Sequence, residues 1–294
     1  SRDIDKVEAD VSNSLYADGD TGKEHRKNVV QDILNKWERI SFRGKFHYIL
    51  ATSSIREAIK YYRLLKDNDK DLFVTAVFDP HTDNTSDDIF KDKAVEEILI
   101  DYNNHFNFKF TVGAYRRFKD DVCSRLAHKE PYKDIDTRRE EAVNIVIVVN
   151  QLLTGFDSKW INTLYLDKVI DYEQYIQAVS RTNRLNGYEK QYGIIKYCRK
   201  PYTMEKNAKE ALRLYAEAGY QDVYVPSLGQ NIIGMNNDYQ SIIKLFEKNG
   251  IENFSRLPDN QGDIKLFADL FNNISNNYYR SIPQLFTWTK RTYI

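Results

Sequence analysis

In the run QAVSRTNRLNG, Gln177 to Gly187, an amide and two guanidinium groups recur at offsets of four and three residues. At about 100° per residue, Gln177, Arg181 and Arg184 fall within roughly 40° of one direction on a helix, while Tyr172, Tyr175, Ile176 and Val179 centre on nearly the opposite one. One face packs; the other offers rigid forks of donors. Two arginines a turn apart suit a polyanion whose charge is spread over several oxygens. At the terminal phosphate of a nucleotide such an arginine is worth roughly 10³ to 10⁵ in rate, or about 4 to 7 kcal/mol. A solvated, salt-bridged face gives the same pattern and contributes only about 0 to 1 kcal/mol per pair. Spacing alone leaves both readings open.

Two further stretches carry groups that meet ligands. In ATSS, Ala51 to Ser54, Thr52 and Ser53 put hydroxyls and free N–H groups ahead of a helix, which is either a phosphate site or simple helix capping. In QLLTGFD, Gln151 to Asp157, Gly155 allows close approach of backbone to ligand, Thr154 offers a hydroxyl and Asp157 can accept from a sugar hydroxyl, although any turn uses the same residue types. Asp79, His81 and Asp83 in DPHTDN could surround a cation, but the string reads first as a turn, and no metal site is assigned.

These groups need a scaffold. KFHYILA (45–51), LFVTAVF (72–78), VNIVIVV (143–149), NTLYLDK (162–168) and YGIIKYC (192–198) read as strands, and the unbroken apolar run of the third suits a parallel strand covered on both faces. Helical periodicity fills the intervals: EHRKNVVQDILNKWER, SIREAIKYYRLLKD with Ser54 and Glu57 in capping-box spacing, KDKAVEEILIDYNNHF and GAYRRFKDDVCSRLAH. Alternation of strand and helix predicts an α/β fold with a doubly wound parallel sheet flanked by helices, in which ligands sit at the C-terminal ends of strands. Beyond about residue 217 only helical patterns remain, YQSIIKLFEKN and IKLFADLFNNISNNYYR. The expected organisation is a polar linker over 1–23, an α/β domain over 24–219 and the start of an all-α region over 220–294.

Composition sets outer limits. Of 294 residues 41% are hydrophobic, enough for one full core and a second smaller piece. Lysine and arginine number 43 against 43 aspartate and glutamate, so any contact with nucleic acid must be local. Two distant cysteines without CxxC spacing, no apolar run of about 20 residues and no leader-like segment fit a protein of a reducing, cytoplasmic compartment.

The order TSS, LLTGFD, QAVSRTNR resembles motifs IV, V and VI of the second RecA-like domain of superfamily-two helicases and translocases. Motif VI there usually reads Q, two residues, G-R, one residue, G-R; Ser180 and Asn183 stand where the glycines would be. Together with LLTGFDSKWINTLYLDK, LAHKEPY (126–132) and YCRKPYTME (197–205), the pattern is similar to the R (motor and restriction) subunit of type I restriction-modification enzymes over about residues 24–217. The resemblance implies that Arg184 acts as the arginine finger, with Arg181 a second γ-phosphate contact and Gln177 on the same nucleotide-facing surface. Asp157 and Gly155 fall in the nucleotide-coupling motif, and Thr52, Ser53 and Thr154 on the DNA track. It also implies ATP and Mg²⁺ as cofactors of the full subunit, duplex DNA as the track, and methyltransferase and specificity subunits as partners in a prokaryotic cytoplasm.

The P-loop pattern GxxxxGK[ST] is absent: in GDTGKE, Gly22-Lys23 is followed by Glu24 and preceded, five residues back, by Ala17. PDNQGDIK (258–265) imitates a nuclease motif only as a string. The expectation is therefore a piece of a larger chain that neither hydrolyses ATP nor cleaves DNA alone, its first RecA-like and nuclease domains lying elsewhere in the same polypeptide. A non-catalytic α/β module that binds nucleotide, RNA or protein carboxylates through the same arginines, or a structural role for those arginines in a domain contact, remains the alternative. The basic segment around Arg116, Arg117, Lys119, Arg125 and Lys129 reads as either a DNA contact or an exposed helix face.

Overall fold

The computed structural model describes residues 6–8, 19–68, 71–79, 88–149, 157–187, 189–215 and 226–287. The described residues group into two compact units. The first runs to Leu185 and resumes over Gly193–Gln221; the second comprises Asn186–Tyr192 and the chain from Asp222.

In the first unit the expected alternation is realised. It runs α1 (Asp20–Ile40), β1 (His47–Thr52), α2 (Ile55–Asn68), β2 (Val74–Val77), α3 (Asp88–Phe106), α4 (Tyr115–Ala127), β3 (Ile145–Val148), β4 (Ile161–Asp167), α5 (Tyr172–Val179), β5 (Ile194–Tyr197) and α6 (Pro201–Tyr215). The five strands form one sheet in the order β2-β3-β1-β4-β5. Every pairing is parallel, Leu50 facing Ile147 on one side and Tyr165 on the other. All residues of β1, β2, β3 and β4 are buried, which is why their sequences are continuously apolar rather than alternating. β5 closes one edge and is only partly buried.

Local chemistry explains the boundaries. Helix α1 begins earlier than its periodicity indicated: Asp20, Thr21 and Gly22, which read as a turn, form its first turn behind Gly19, with the Asp20 carboxylate favourably placed against the helix dipole. Ser54 caps α2, its hydroxyl accepting from the Glu57 N–H at 3.2 Å. The Glu57 carboxylate does not complete a capping box; it accepts from Arg26 and Lys60. Within 1–23, Glu8 is buried and accepts from the Tyr202 and Thr203 N–H groups at the start of α6, so this residue is docked rather than part of a free linker.

The second unit holds α7 (Leu228–Lys248), opened by a capping box of Ser227 and Gln230, and α8 (Gln261–Ser281), capped by Asn260. PDNQ thus serves as a helix start. Ile242, Leu245, Phe246 and Ile251 pack with Phe267, Leu270 and Ile274 to form its core. The short segment Asn186–Tyr192 is bonded to α8: Gln191 Nε2 donates to Asn276 Oδ1 at 2.8 Å, and the Tyr192 hydroxyl donates to the Arg280 carbonyl at 2.6 Å.

Candidate functional site

Helix α5 is fixed at both ends. Asp171 caps it, accepting from the Gln174 N–H at 3.2 Å, and Tyr175 and Ala178 are buried, with the Tyr175 and Tyr197 hydroxyls 2.8 Å apart. Tyr172, expected on the packed face, is 40% exposed and donates to Glu210. The helix stops at Val179, before either arginine. Ser180 and Thr182 end it by turning their hydroxyls back onto the chain, Ser180 donating to the Gln177 carbonyl at 2.7 Å and Thr182 to the Val179 carbonyl at 3.2 Å. Such residues compete with the helix for its own backbone groups. The Arg181 and Thr182 N–H groups reach back only three residues, to Ala178 and Val179, in a tightened turn. The single helical face through Gln177, Arg181 and Arg184 is therefore not formed; Gln177 lies on the helix and the arginines on the turn after it.

That turn nevertheless gathers three of the candidate residues. Arg184 Nε pairs with Asp157 Oδ1. Both side chains are about half exposed, so the pair contributes little to stability and is readily exchanged for another anion. Arg181 is half-buried; burial draws its pKa below the ordinary arginine range, the Asp157 carboxylate opposing this and the Arg184 guanidinium adding to it. The Asp157 carboxylate thus acts on both guanidiniums. Gln177 is half-buried one turn earlier.

The location differs from the general expectation for parallel sheets. Thr182 packs on Gly193, the residue before β5, and Asp157 precedes Ser158, whose hydroxyl donates to the Leu126 carbonyl at the end of α4. The Trp160 carbonyl accepts from His47, the first residue of β1. The arginine cluster thus lies at the N-terminal edge of the sheet. Thr52 and Ser53 lie at the C-terminal edge, about five residues or roughly 17 Å along the strands. Thr52 is buried and its hydroxyl donates to the Val148 and Ser54 carbonyls at 3.3 and 3.2 Å; Ser53 is the exposed member of the pair. Thr154 and Gly155, and His81 and Asp83 of the DPHTDN string, lie outside the described residues; Asp79 is half-buried.

Comparison with known proteins decides the family. The family model for type I restriction enzyme subunit R domain 3 (T1R_D3-like) matches residues 44–200, more than half of the chain. The chain belongs to this family. The type I restriction enzyme SauMRSORF196P endonuclease subunit of Staphylococcus aureus (strain MRSA252) is 32% identical over 202 residues, covering 66% of this chain and 21% of that protein. The SsaAORF53P endonuclease subunit of Staphylococcus saprophyticus is 29% identical over 198 residues, 64% of this chain and 20% of the relative. The chain therefore spans about a fifth of the length of these curated relatives. Among the described residues no helix is long and apolar enough to cross a membrane.

Every candidate in this subunit R domain, from Thr52 to Arg184, falls inside the matched span. A buried network of Asp167, Arg199, Tyr61 and Glu57 also lies inside it and reaches His25 and Arg26 ahead of the span. Asp167, the last residue of β4, is fully buried and accepts from Arg199 Nε and Nη2 at 2.8 and 2.9 Å and from the Tyr61 hydroxyl at 2.8 Å; His25 Nε2 lies 2.7 Å from it. Burial alone would raise this carboxyl, but the His25 and Arg199 hydrogen bonds outweigh it and hold the pKa below the ordinary 3.8. Glu57, bonded to Arg26 at 3.0 Å, lies 3.7 Å from Arg199 and extends the network. The only sequence signal is that YLDK and YCRK each set a charge at the end of an apolar strand. In the basic segment, Arg116 and Arg117 are exposed, but Arg125 is not available to DNA. It is buried, paired with Asp121 at 2.9 Å, and stacked 3.7 Å from the Phe106 ring centroid and 4.1 Å from that of Tyr132.

Proposed function

We propose that this domain is the second RecA-like motor domain of a type I restriction enzyme R subunit that moves duplex DNA at the expense of ATP and so leads to cleavage in the complete enzyme. The observation that carries the reading is the meeting of Arg181, Arg184 and Asp157 on one turn at the N-terminal edge of the sheet, in residues that keep the order of motifs V and VI. The cluster has the chemistry of a polyphosphate contact: two planar donor forks, and a carboxylate that keeps Arg184 oriented until another anion replaces it. ATP fits this donor set. When bound, it supplies the free energy of phosphoanhydride hydrolysis. Arg184 would then face negative charge on the terminal phosphoryl oxygens, with Arg181 as a second contact, and Asp157, released from Arg184, would be free to accept from a sugar hydroxyl. For Mg²⁺, no cluster of three or more His, Cys, Asp or Glu side chains gathers among the described residues, and we assign it no ligand in this chain.

At the opposite edge, Ser53 and the backbone before α2 are suited to contact the DNA backbone, a contact that is salt-sensitive and indifferent to sequence. In this reading nucleotide and track lie at opposite ends of one sheet, which the separation of the two edges supports. The partners implied are double-stranded DNA, the methyltransferase and specificity subunits, and the remaining domains of the R chain. The test is DNA-stimulated ATP hydrolysis by the full-length subunit in its complex carrying Arg184→Lys, which keeps the charge but loses the fork. Loss of turnover with the fold retained is expected; normal turnover removes the assignment.

A further inference from the structure

Thr182 lies between the two arginines and is fully buried, although Asn183 and Arg184 beside it are exposed. What buries it is Gly193, the residue that leads into β5. A Cβ built at Gly193 would lie 2.2 Å from Thr182 Oγ1, 2.6 Å from its Cβ and 2.7 Å from its carbonyl oxygen. At Gly19, Gly44 and Gly113 of the same unit a Cβ would meet nothing closer than 3.8 Å. Nor does the backbone demand glycine there: Gly44, Gly187 and Gly250 have positive φ, and Gly193 does not. The reason for glycine at this position is contact, not conformation.

We propose that Gly193 and Thr182 are positioning residues for the arginine pair, the bare backbone at 193 clamping the Thr182 side chain and carbonyl and so setting where Arg181 and Arg184 stand. This rests on the reading that the arginines face a nucleotide. The Thr182 hydroxyl donates to the Val179 carbonyl and its N–H bonds to the same oxygen at 3.0 Å, so the turn is tied to the end of α5 on one side and pressed by β5 on the other.

A methyl group at 193 forces the Thr182 carbonyl and side chain to retreat by about 1 Å, a displacement that costs on the order of 10²-fold in rate when it is applied to a transition-state contact. The experiment compares Gly193→Ala, Thr182→Ala and Arg184→Ala in the full-length subunit within its complex. It measures kcat and KM for ATP at saturating DNA, with folding followed by circular dichroism. For Gly193→Ala the expected result is a fall in kcat of roughly 10²-fold with KM within about threefold of the wild type. Thr182→Ala adds no atom and removes the group that is clamped; it should lower kcat by roughly tenfold, again at unchanged KM, and it stands as the test if Gly193→Ala does not fold. Wild-type kcat in folded Gly193→Ala, or in Thr182→Ala where the former is unfolded, overturns the clamp. If Arg184→Ala itself turns over normally, the nucleotide reading falls and the clamp with it. Loss in Arg184→Ala with normal Gly193→Ala overturns the clamp alone.

Discussion

Replacing Asp167 with asparagine tests how the C-terminal edge of the sheet is held together. The substitution keeps shape and changes one acceptor oxygen into a donor. The carboxylate is fully buried and takes two hydrogen bonds from Arg199, itself 2% exposed, as well as one from Tyr61. Loss of charge weakens two charge-assisted bonds by about 1 kcal/mol each. It also leaves the Arg199 guanidinium buried opposite a neutral amide, and breaking a buried pair in this way costs about 3 to 5 kcal/mol in total. Glu57, 3.7 Å from Arg199 and already engaged by Arg26 and Lys60, offers partial compensation, so the lower end, about 3 kcal/mol, is expected. With a urea slope of roughly 2 to 3 kcal/mol/M the unfolding midpoint should fall by about 1 M or more. The assay is urea unfolding at pH 7 followed by tryptophan emission, Trp37 and Trp160 both lying in the first unit. Arg199→Met and the double variant complete a cycle, in which a coupling of at least about 1.5 kcal/mol is expected. A single-variant loss below about 1 kcal/mol, or additive losses, would refute the network as described.

Other predictions concern the far edge and the core. His47 and His128 are buried with their Nε2 atoms 2.8 Å apart, His128 stacked on Trp160 at 3.9 Å; burial holds His47 at about 4 and His128 at about 3, the latter lowered further by His47 and Lys159. Because both folded values lie below the ordinary 6.5, the unfolded chain binds more protons between them. Stability is then flat above pH 6.5 and falls as pH drops, by about 2 kcal/mol per imidazole at pH 5. Urea midpoints measured from pH 7.5 to 5 check this, and a level profile contradicts it. Arg125→Ala should cost about 3 kcal/mol because the half-buried Asp121 loses its cation, keeping only the Tyr102 and Tyr132 hydroxyls, and two rings lose a stacked guanidinium. Arg125→Lys should not restore the midpoint, and recovery by lysine would show that charge alone suffices.

The strands were legible because a sheet covered on both faces leaves its mark directly in composition: each of the five observed strands lies within an apolar run picked out beforehand, to within a residue or two at its ends. The helical tail was legible from periodicity in the same way. The arginine turn was only half legible. The residue types and their order along the chain made Asp157, Arg181 and Arg184 candidates, but a helical wheel assumes that α5 continues past Val179, and the hydroxyls of Ser180 and Thr182 stop it there. The arginine turn lies beside the start of β5, not at a strand's C-terminal end, because a turn after a crossover helix comes down there. The Asp167 and Arg199 pairing, 32 residues apart, and the contact of Gly193 with Thr182 depend on strand order and on distances that no local pattern encodes.

The central claim is that the guanidinium of Arg184 acts on the terminal phosphate of a nucleotide during DNA-driven turnover. Its most direct test is the steady-state rate of ATP hydrolysis by the full-length subunit in its complex, wild type against Arg184→Lys, with saturating ATP and duplex DNA. The expected result is a fall of roughly 10³-fold or more in kcat while the unfolding free energy stays within about 0.5 kcal/mol of the wild type, as for other exposed side chains. A folded Arg184→Lys subunit that hydrolyses ATP at the wild-type rate would contradict it.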